Sequence, residues 1–352
     1  MRSRTGSIAS ALLAGLLLVG VVAGCGSDDD DSGSAATTSS EASGSGGTTK
    51  LTIGYSAWPG WFPLAVADEQ GIFEDNGLDV DLKYFTDYTA SLDALAAEKL
   101  DVNAQTLNDT IFAVAAGSKQ KVVVVGDNST GNDAVICDES VKDRKDLKGK
   151  SIAAEEGVVD HFLLLQGMAE DDMTQDDIDF SPLKTDAAAA AFANGQFDCV
   201  AVFAPFTLQA LEREGSHVVL SSKDLPGVIP DHLVATEKAA GNAAAMQKLV
   251  DAWYQTIDWI KANPDKANEI MAKKAGTSVE EYESFAEGTT LFSPEDSVKA
   301  FADRKGDTTS LPEMARRINP FLVESGLTEQ EADLTDLFVP DYTAAYIESN
   351  GG

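Results

Sequence analysis

From Lys50 onward short apolar runs alternate with helical stretches, and that alternation leaves a chain few ways to bury its apolar surface. Parallel strands cannot be joined by tight turns, so strand-length runs separated by helical ones predict βαβ units and an α/β fold. Residues 51–55 predict a strand, 64–70 a helix, 78–85 a second strand and 91–98 a second helix, and segments 101–105, 110–116 and 121–125 continue the pattern. Turn-forming residues from Asp127 to Asp133 interrupt it. A second set starts at 134–137, with strands at 151–154, 178–183, 198–203 and 217–220 and helical runs beginning near Val159, Ala187 and Phe206. After Asn242 the chain reads as consecutive helices punctuated by Pro264, Pro294, Pro312 and Pro340, with Leu249, Trp253, Ile257 and Ile260 recurring at helical spacing as core. The expected architecture is two α/β lobes: 50–127 plus 232–352 with extra C-terminal helices, and 128–231.

What precedes Lys50 is a different kind of segment. Arg2 and Arg4 make a basic start, residues 8–22 an apolar run short for a bilayer core, and Val22-Ala23-Gly24-Cys25 a lipobox whose thiol is lipidated before cleavage. Residues 1–24 are expected to be a lipoprotein signal peptide and Cys25 the anchor for a palmitate-bearing lipid. Residues 25–49, rich in Ser, Gly, Thr, Ala and Asp, read as a flexible tether with a reach of about 25 Å. These features place the chain outside the cell, lipid-anchored on the outer face of a bacterial cytoplasmic membrane.

The formal charge of −32 becomes about −34 once Arg2 and Arg4 leave with the signal. Such acidity excludes nucleic acid as a partner and disfavours anionic membrane surfaces. With Cys25 lipidated, Cys137 and Cys199 remain, each in an apolar strand-like run; they either pair as a disulfide or stay as buried free thiols. There is no CxxC, Cys/His cluster, Gly-x-Ser-x-Gly elbow, His-Glu-x-x-His helix or Walker A loop, so neither catalysis, a metal nor a cofactor is expected.

Open α/β sheets bind ligands beyond the carboxyl ends of their strands, which points to the loops after Tyr55, Gln105, Ala154 and Phe203 and to the segment joining the lobes. Ser56 and Trp58 follow the first strand, and Trp58, flanked by Pro59 and Gly60, is expected to present its ring to a planar or cationic ligand, with Trp61 in the core. Asn108 and Asp109 lie between strand and helix, where Asp109 either contacts ligand or caps the helix; Asp160 stands in the same position at the helix from Val159. His161 and His232, each beside a cleft carboxylate, either contact ligand or pack at the start of an element. Glu155, Glu156, Asp133 and Asp231 fall on the same loops and Phe203 at a strand end, while arginines are absent there, Arg144 lying in a surface-like charged run. An anion would call for Arg, Lys or many hydroxyls, so this set predicts a cationic or neutral, urea-like ligand.

At these same loops the sequence resembles the type II substrate-binding proteins of ABC importers, in the nitrate, sulfonate and taurine branch that also includes pyrimidine-precursor binders. The resemblance runs from about Lys50 through Lys274. It rests on Gly54-Tyr55-Ser56-Ala57-Trp58-Pro59, Gln70-Gly71-Ile72-Phe73 leading into Gly77-Leu78-Asp79-Val80, Asp146-Leu147-Lys148-Gly149-Lys150, Ala204-Pro205-Phe206 and Asn263-Pro264, in that order. A narrower similarity, to the branch associated with urea and guanidine carboxylases, is carried by Trp58-Pro59-Gly60-Trp61, the run from Gly126 to Asp133, and Pro226-Gly227 followed by Asp231. The chain departs from that branch at Val158 and Asp160, which stand where the branch carries a Ser-x-Ser-His stretch before His161, at Phe203-Ala204, where a Trp-Asn pair is replaced, and at Val228, which replaces an acidic residue.

The resemblance implies a two-lobed periplasmic-binding-protein type II (Venus-flytrap) fold. It also implies a monomer that closes on a small molecule about a hinge at 127–133 and 225–231 and delivers it to an ABC permease and its ATPase. Anion-binding relatives use a helix N-terminus where Asp160 stands, and a carboxylate there competes with an anion. Three other readings stay open: a binder of aliphatic sulfonate, taurine, nitrate or a pyrimidine thiamine precursor; a tethered receptor for a sensor; and a single-turnover pyrimidine-synthesis enzyme of the same fold, whose cysteine-rich segment this chain lacks.

Overall fold

The computed structural model describes residues 48–350; the signal segment, the lipobox with Cys25 and the tether through residue 47 lie outside the described residues. Eleven strands occur in chain order: β1 (Thr49–Ser56), β2 (Leu78–Phe85), β3 (Val102–Thr106), β4 (Gln120–Ser129), β5 (Asp133–Cys137), β6 (Ser151–Ala154), β7 (Asp179–Pro182), β8 (Cys199–Phe203), β9 (His217–Ser221), β10 (Pro230–Thr236) and β11 (Thr289–Leu291). They form a six-stranded sheet in the order β11-β4-β10-β3-β1-β2 and a five-stranded sheet in the order β7-β6-β8-β5-β9. The chain leaves the first sheet after Ser129, enters the second at Asp133, and is back in the first at Pro230.

The parallel pairing that the alternation predicts is found between β1 and β2, β1 and β3, β6 and β7, and β6 and β8. Both sheets are nevertheless mixed, because β10 inserts antiparallel between β3 and β4, and β5 runs antiparallel to β8 and β9. β10 and β11 were not legible as strands. The strand starts at Pro230 after the Pro226-Gly227 turn, and the other is three residues long.

Two boundaries move from their expected places. β1 begins at Thr49, inside the expected tether, since its N–H donates to the Gly77 carbonyl at 3.0 Å and the residue pairs with Leu78. β4 continues through Asp127, Asn128 and Ser129, which read as turn residues. Their backbone is paired to β10 on one side and β11 on the other, so only residues 130–132 separate β4 from β5.

The inner strands β5 and β8 of the second sheet are buried along their whole length, as strands covered on both faces by helices must be, while the edge strands β7 and β9 are partly exposed. Ala134, Ile136, Val200 and Val202 pack with Ala188, Ala189 and Phe192 of the helix Thr185–Ala193, while Val135, Cys137, Cys199 and Ala201 share the other core with Phe162 and Leu163 of the helix Val159–Ala169. Cys137 and Cys199, opposite one another in the β5–β8 ladder, are joined as a disulfide. The C-terminal helices touch both sets of elements: the helix Leu311–Glu324 packs on Leu107–Ala115, and Phe321 meets Phe162 edge-on at 5.8 Å. Among the described residues no helix is long and apolar enough to cross a membrane.

Candidate functional site

Strand register sets up the site. Asp231 of β10 lies between Thr106 of β3 and Asp127 of β4, so three polar residues form a row across adjacent strands of the first sheet. In the second sheet Asp133 of β5 opposes Phe203 of β8. Where these two sheet ends face each other, a cavity of about 10 Å³ is lined by Trp58, Trp61, Tyr88, Thr106, Asp133, Val159, Phe203, Ile229 and Asp231. That is room for about one water, far below the range of about 300–1,000 Å³ usual for drug-sized ligands, so the walls lie closed on one another.

Four rings make the apolar walls. Trp58 and Phe203 meet at 6.4 Å between centroids, Tyr88 and Phe203 at 6.1 Å, Trp61 and Tyr88 at 5.2 Å, and Trp58 and Trp61 at 6.3 Å. Trp58 is held from behind, its indole N–H donating to Asp127 Oδ1 at 3.0 Å. Asp127 in turn needs the space over Gly60, where a Cβ would lie 2.0 Å from the carboxylate, so glycine is the residue that fits the Pro59-Gly60 bend.

The carboxylates between the rings are buried and short of donors. Asp127, Asp133, Asp160 and Asp231 are each at most 1% exposed. Among the described residues neither oxygen of Asp160 or Asp231 has a hydrogen-bond partner, nor does Oδ2 of Asp127 or Asp133. Burial raises the pKa of Asp127 to about 7 against the opposing indole hydrogen bond, and raises Asp133 to about 7 against a hydrogen bond from Ser129. Burial drives Asp160 and Asp231 well above the ordinary carboxylate range, and neighbouring carboxylates push the same way: Asp133, Glu155 and Asp109 on Asp160, and Asp127, Asp133 and Asp109 on Asp231. Like charges this close in low dielectric resist ionising together unless a cation is set among them. No three His, Cys, Asp or Glu side chains among the described residues converge tightly enough to hold a metal ion. The buried carboxylates Asp133 and Asp231 share these walls with the aromatic rings.

Asn108 and Asp109 support the wall from behind. The Tyr88 hydroxyl donates to Asp109 Oδ2 at 2.8 Å while accepting from the Thr106 N–H at 3.2 Å, and Asn108 Nδ2 donates to Asp109 Oδ1 at 2.8 Å. Burial raises Asp109 to about 7 although hydrogen bonds from Thr106 and Tyr88 favour its charged form. The helix Leu107–Ala115 has Thr106 as its N-cap residue, so Asp109 does not cap it. Asp160 likewise sits in the first turn of its helix without capping it.

An outer space of about 160 Å³ shares Tyr88 and Phe203 with the inner cavity and adds Ser56, Asp87, Glu155, Lys184 and Thr185. Ser56 is 1% exposed, and its hydroxyl has no partner among the described residues.

Several expected contacts fall elsewhere. Glu156 is exposed and lines a separate surface hollow with Asp109 and Phe112; its neighbour Glu155 is the buried one, accepting from the Thr185 N–H at 3.1 Å and hydroxyl at 2.8 Å. The chain leaves strand geometry after β6, so loop membership could not say which of the two carboxylates turns inward. His161 is turned away from the cavity: Nδ1 accepts from the Gly157 N–H at 3.1 Å, Nε2 lies 2.7 Å from Gln175 Oε1, and the ring stacks on Phe180 at 4.4 Å. Accepting at Nδ1 places the proton on Nε2, and burial lowers the pKa, so the ring is a neutral packing group. His232 is 2% exposed, bonded to Thr110 at 3.0 Å, and burial lowers its pKa to about 3. Trp61 is buried in the hydrophobic core as expected and also borders the cavity. Tyr88, Thr106 and Ile229 had not been singled out; Tyr88 follows the carboxyl end of β2, a loop that the strand-end rule covers.

Known proteins resemble this chain across its length. The NMT1-like family model matches residues 44–275. A Brucella abortus protein provisionally named a binding protein is 28% identical over 304 residues, 84% of this chain and 92% of that one. A Bacillus subtilis protein provisionally named for binding aliphatic sulfonates is 24% identical over 60% of this chain and 65% of its own length. The crystal structure of the periplasmic aliphatic sulphonate binding protein SsuA from Escherichia coli superposes with a TM-score of 0.69 at 21% identity, covering 84% of this chain and 99% of that one. The fold is that of the periplasmic binding proteins, and the chain belongs to the NMT1-like family.

Proposed function

We propose that this protein is the extracytoplasmic solute-binding component of an ABC importer and captures a small organic cation, of guanidinium or alkylated ammonium type, between two lobes. The lobes are 50–127 with 232–352 and 128–231. Closure about the connections near 127–133 and 225–231 traps the ligand for an integral-membrane permease and its ATPase, while a lipid on Cys25 keeps the monomer within reach of that partner. Binding without chemical change accords with the relatives named as binding proteins. The cation reading is carried by one observation: a ring-walled cavity with Asp133 and Asp231 on its surface, Asp127 and Asp160 buried beside it, and no Arg or Lys among its lining residues. A cation there gains from the faces of Trp58, Trp61 and Tyr88 and relieves the mutual repulsion of the carboxylates.

The names of the sulfonate-binding relatives favour a second reading, an alkanesulfonate. A sulfonate would set its charge beside Asp133 and Asp231 with no Arg or Lys among the lining residues, the indole N–H of Trp61 being a free donor there. Calorimetric titration of the mature protein with guanidinium, tetramethylammonium, taurine and ethanesulfonate separates the two. Saturable binding of either cation with none of ethanesulfonate is the expected outcome; ethanesulfonate binding without either cation would sink the cation reading.

A further inference from the structure

The outer space carries a cation of its own. Lys184 Nζ lies 2.8 and 2.7 Å from the two oxygens of Asp87 and 3.5 Å from Glu155 Oε1, so one ammonium bridges two carboxylates. The pair is built rather than incidental. Glu155 is 8% exposed at its side chain and is fixed by the Thr185 N–H and hydroxyl and by the Thr89 hydroxyl, while Asp87 accepts from the Ala90 N–H at the start of the helix Tyr88–Ala96. Asp87 and Thr89 come from the first-sheet side of the cleft and Glu155 and Lys184 from the second, so the ion pair spans the mouth. Lys184 is the one basic side chain lining either space, and Tyr88 and Phe203 border both.

Without that ammonium the cleft would present two carboxylate clusters, one in the inner cavity and one at the mouth, with the Tyr88 and Phe203 rings bordering both. That is the complement of an α,ω-diamine. We propose that Lys184 is a specificity-determining residue: its ammonium fills the outer carboxylate pair as a built-in counterion, so the cleft takes a small monocation and rejects an elongated dication. This rests on the cation reading above and names the class that is excluded. A free diamine must displace a tethered ammonium from Asp87 and Glu155, and the tethered one is already in place at high effective concentration.

The test compares 1,4-diaminobutane with guanidinium by calorimetry on the full mature chain, for the native protein, Lys184→Gln and Lys184→Arg. The quantity read is the ratio of diamine to guanidinium affinity, which cancels any general loss from breaking the ion pair across the mouth. The expected result is a rise of about tenfold or more in that ratio for Lys184→Gln and none for Lys184→Arg, which keeps the charge. If Lys184→Gln binds guanidinium with the native ratio, the specificity proposal is wrong and the cation reading stands. Should neither cation bind the native protein or Lys184→Gln, the cation reading fails and takes this proposal with it.

Discussion

Asp231 shows at the level of one side chain why this site is costly to fold and why a cation is proposed for it. Both of its oxygens lack a partner among the described residues, and Asp127 presses on it from the neighbouring strand β4 and Asp133 from the other sheet. Replacing it with asparagine removes a charge that the ligand-free fold must suppress, so Asp231→Asn is expected to raise the thermal midpoint of the ligand-free protein. The same change is expected to weaken cation binding by about 2–5 kcal/mol, the loss typical of truncating one partner of a buried charge pair. Melting curves and calorimetry on one sample read both signs; a variant that loses stability and keeps its affinity contradicts the assignment. Trp58→Phe keeps a ring but drops the indole N–H to Asp127, and Trp58→Ala drops both, so affinity is expected to fall in that order, with the ring worth about 1–2 kcal/mol. Much of this was legible in the sequence, because Asp133, Asp160 and Asp231 interrupt apolar runs at strand ends and helix starts. Tyr88 was not, since an aromatic at the start of a helix reads the same whether it faces a core or a cavity wall, and Glu155 and Glu156 are indistinguishable until the chain leaves β6.

Strands and their pairing decide where those side chains point. The alternation in the sequence located β1 to β9 to within a few residues, since apolar runs of strand length are hard to mistake when turns and helices bound them. It failed at β10, whose Pro230 start and Asp231-His232 pair resemble a loop although every residue from Pro230 to Thr236 is buried. That strand is the element that brings Asp231 between Thr106 and Asp127, so the gap in the strand reading hid the row of polar residues too. The disulfide joins two strands whose opposite ends carry Asp133 and Phe203. It closes a loop across a sequence separation of 62 residues, for which chain entropy gives about 4 kcal/mol as an upper value. The double change Cys137→Ala with Cys199→Ala is expected to lower unfolding free energy by about 2–4 kcal/mol in urea titration, with cation affinity altered by less than about threefold. A large affinity loss at unchanged stability would mean that the bridge shapes the site directly.

For the whole molecule the buried carboxylates make stability and ligand affinity respond to pH in opposite directions. Asp109, Asp127 and Asp133 are raised to about 7 in the folded protein, against about 3.9 for an unfolded aspartate. A folded-state pKa raised above the unfolded value gives stability that is full below about pH 4 and is lost as pH rises through about 7. The ligand-free protein is therefore expected to melt at a lower temperature at about pH 8 than at about pH 5, and saturating cation to close most of that gap, because a bound cation favours the ionised carboxylates. A midpoint that rises with pH over this window in the ligand-free protein would contradict the account.

The proton count on binding tests the central claim most directly. A cation seated among carboxylates that titrate near neutrality must expel protons from them, whereas an anion would draw protons in. Calorimetric titration with guanidinium at about pH 7 in buffers of differing ionisation enthalpy gives the number exchanged. Net proton release that fades by about pH 9 is the predicted result; proton uptake, or binding with no proton exchange at all, would contradict a cation site built from these aspartates.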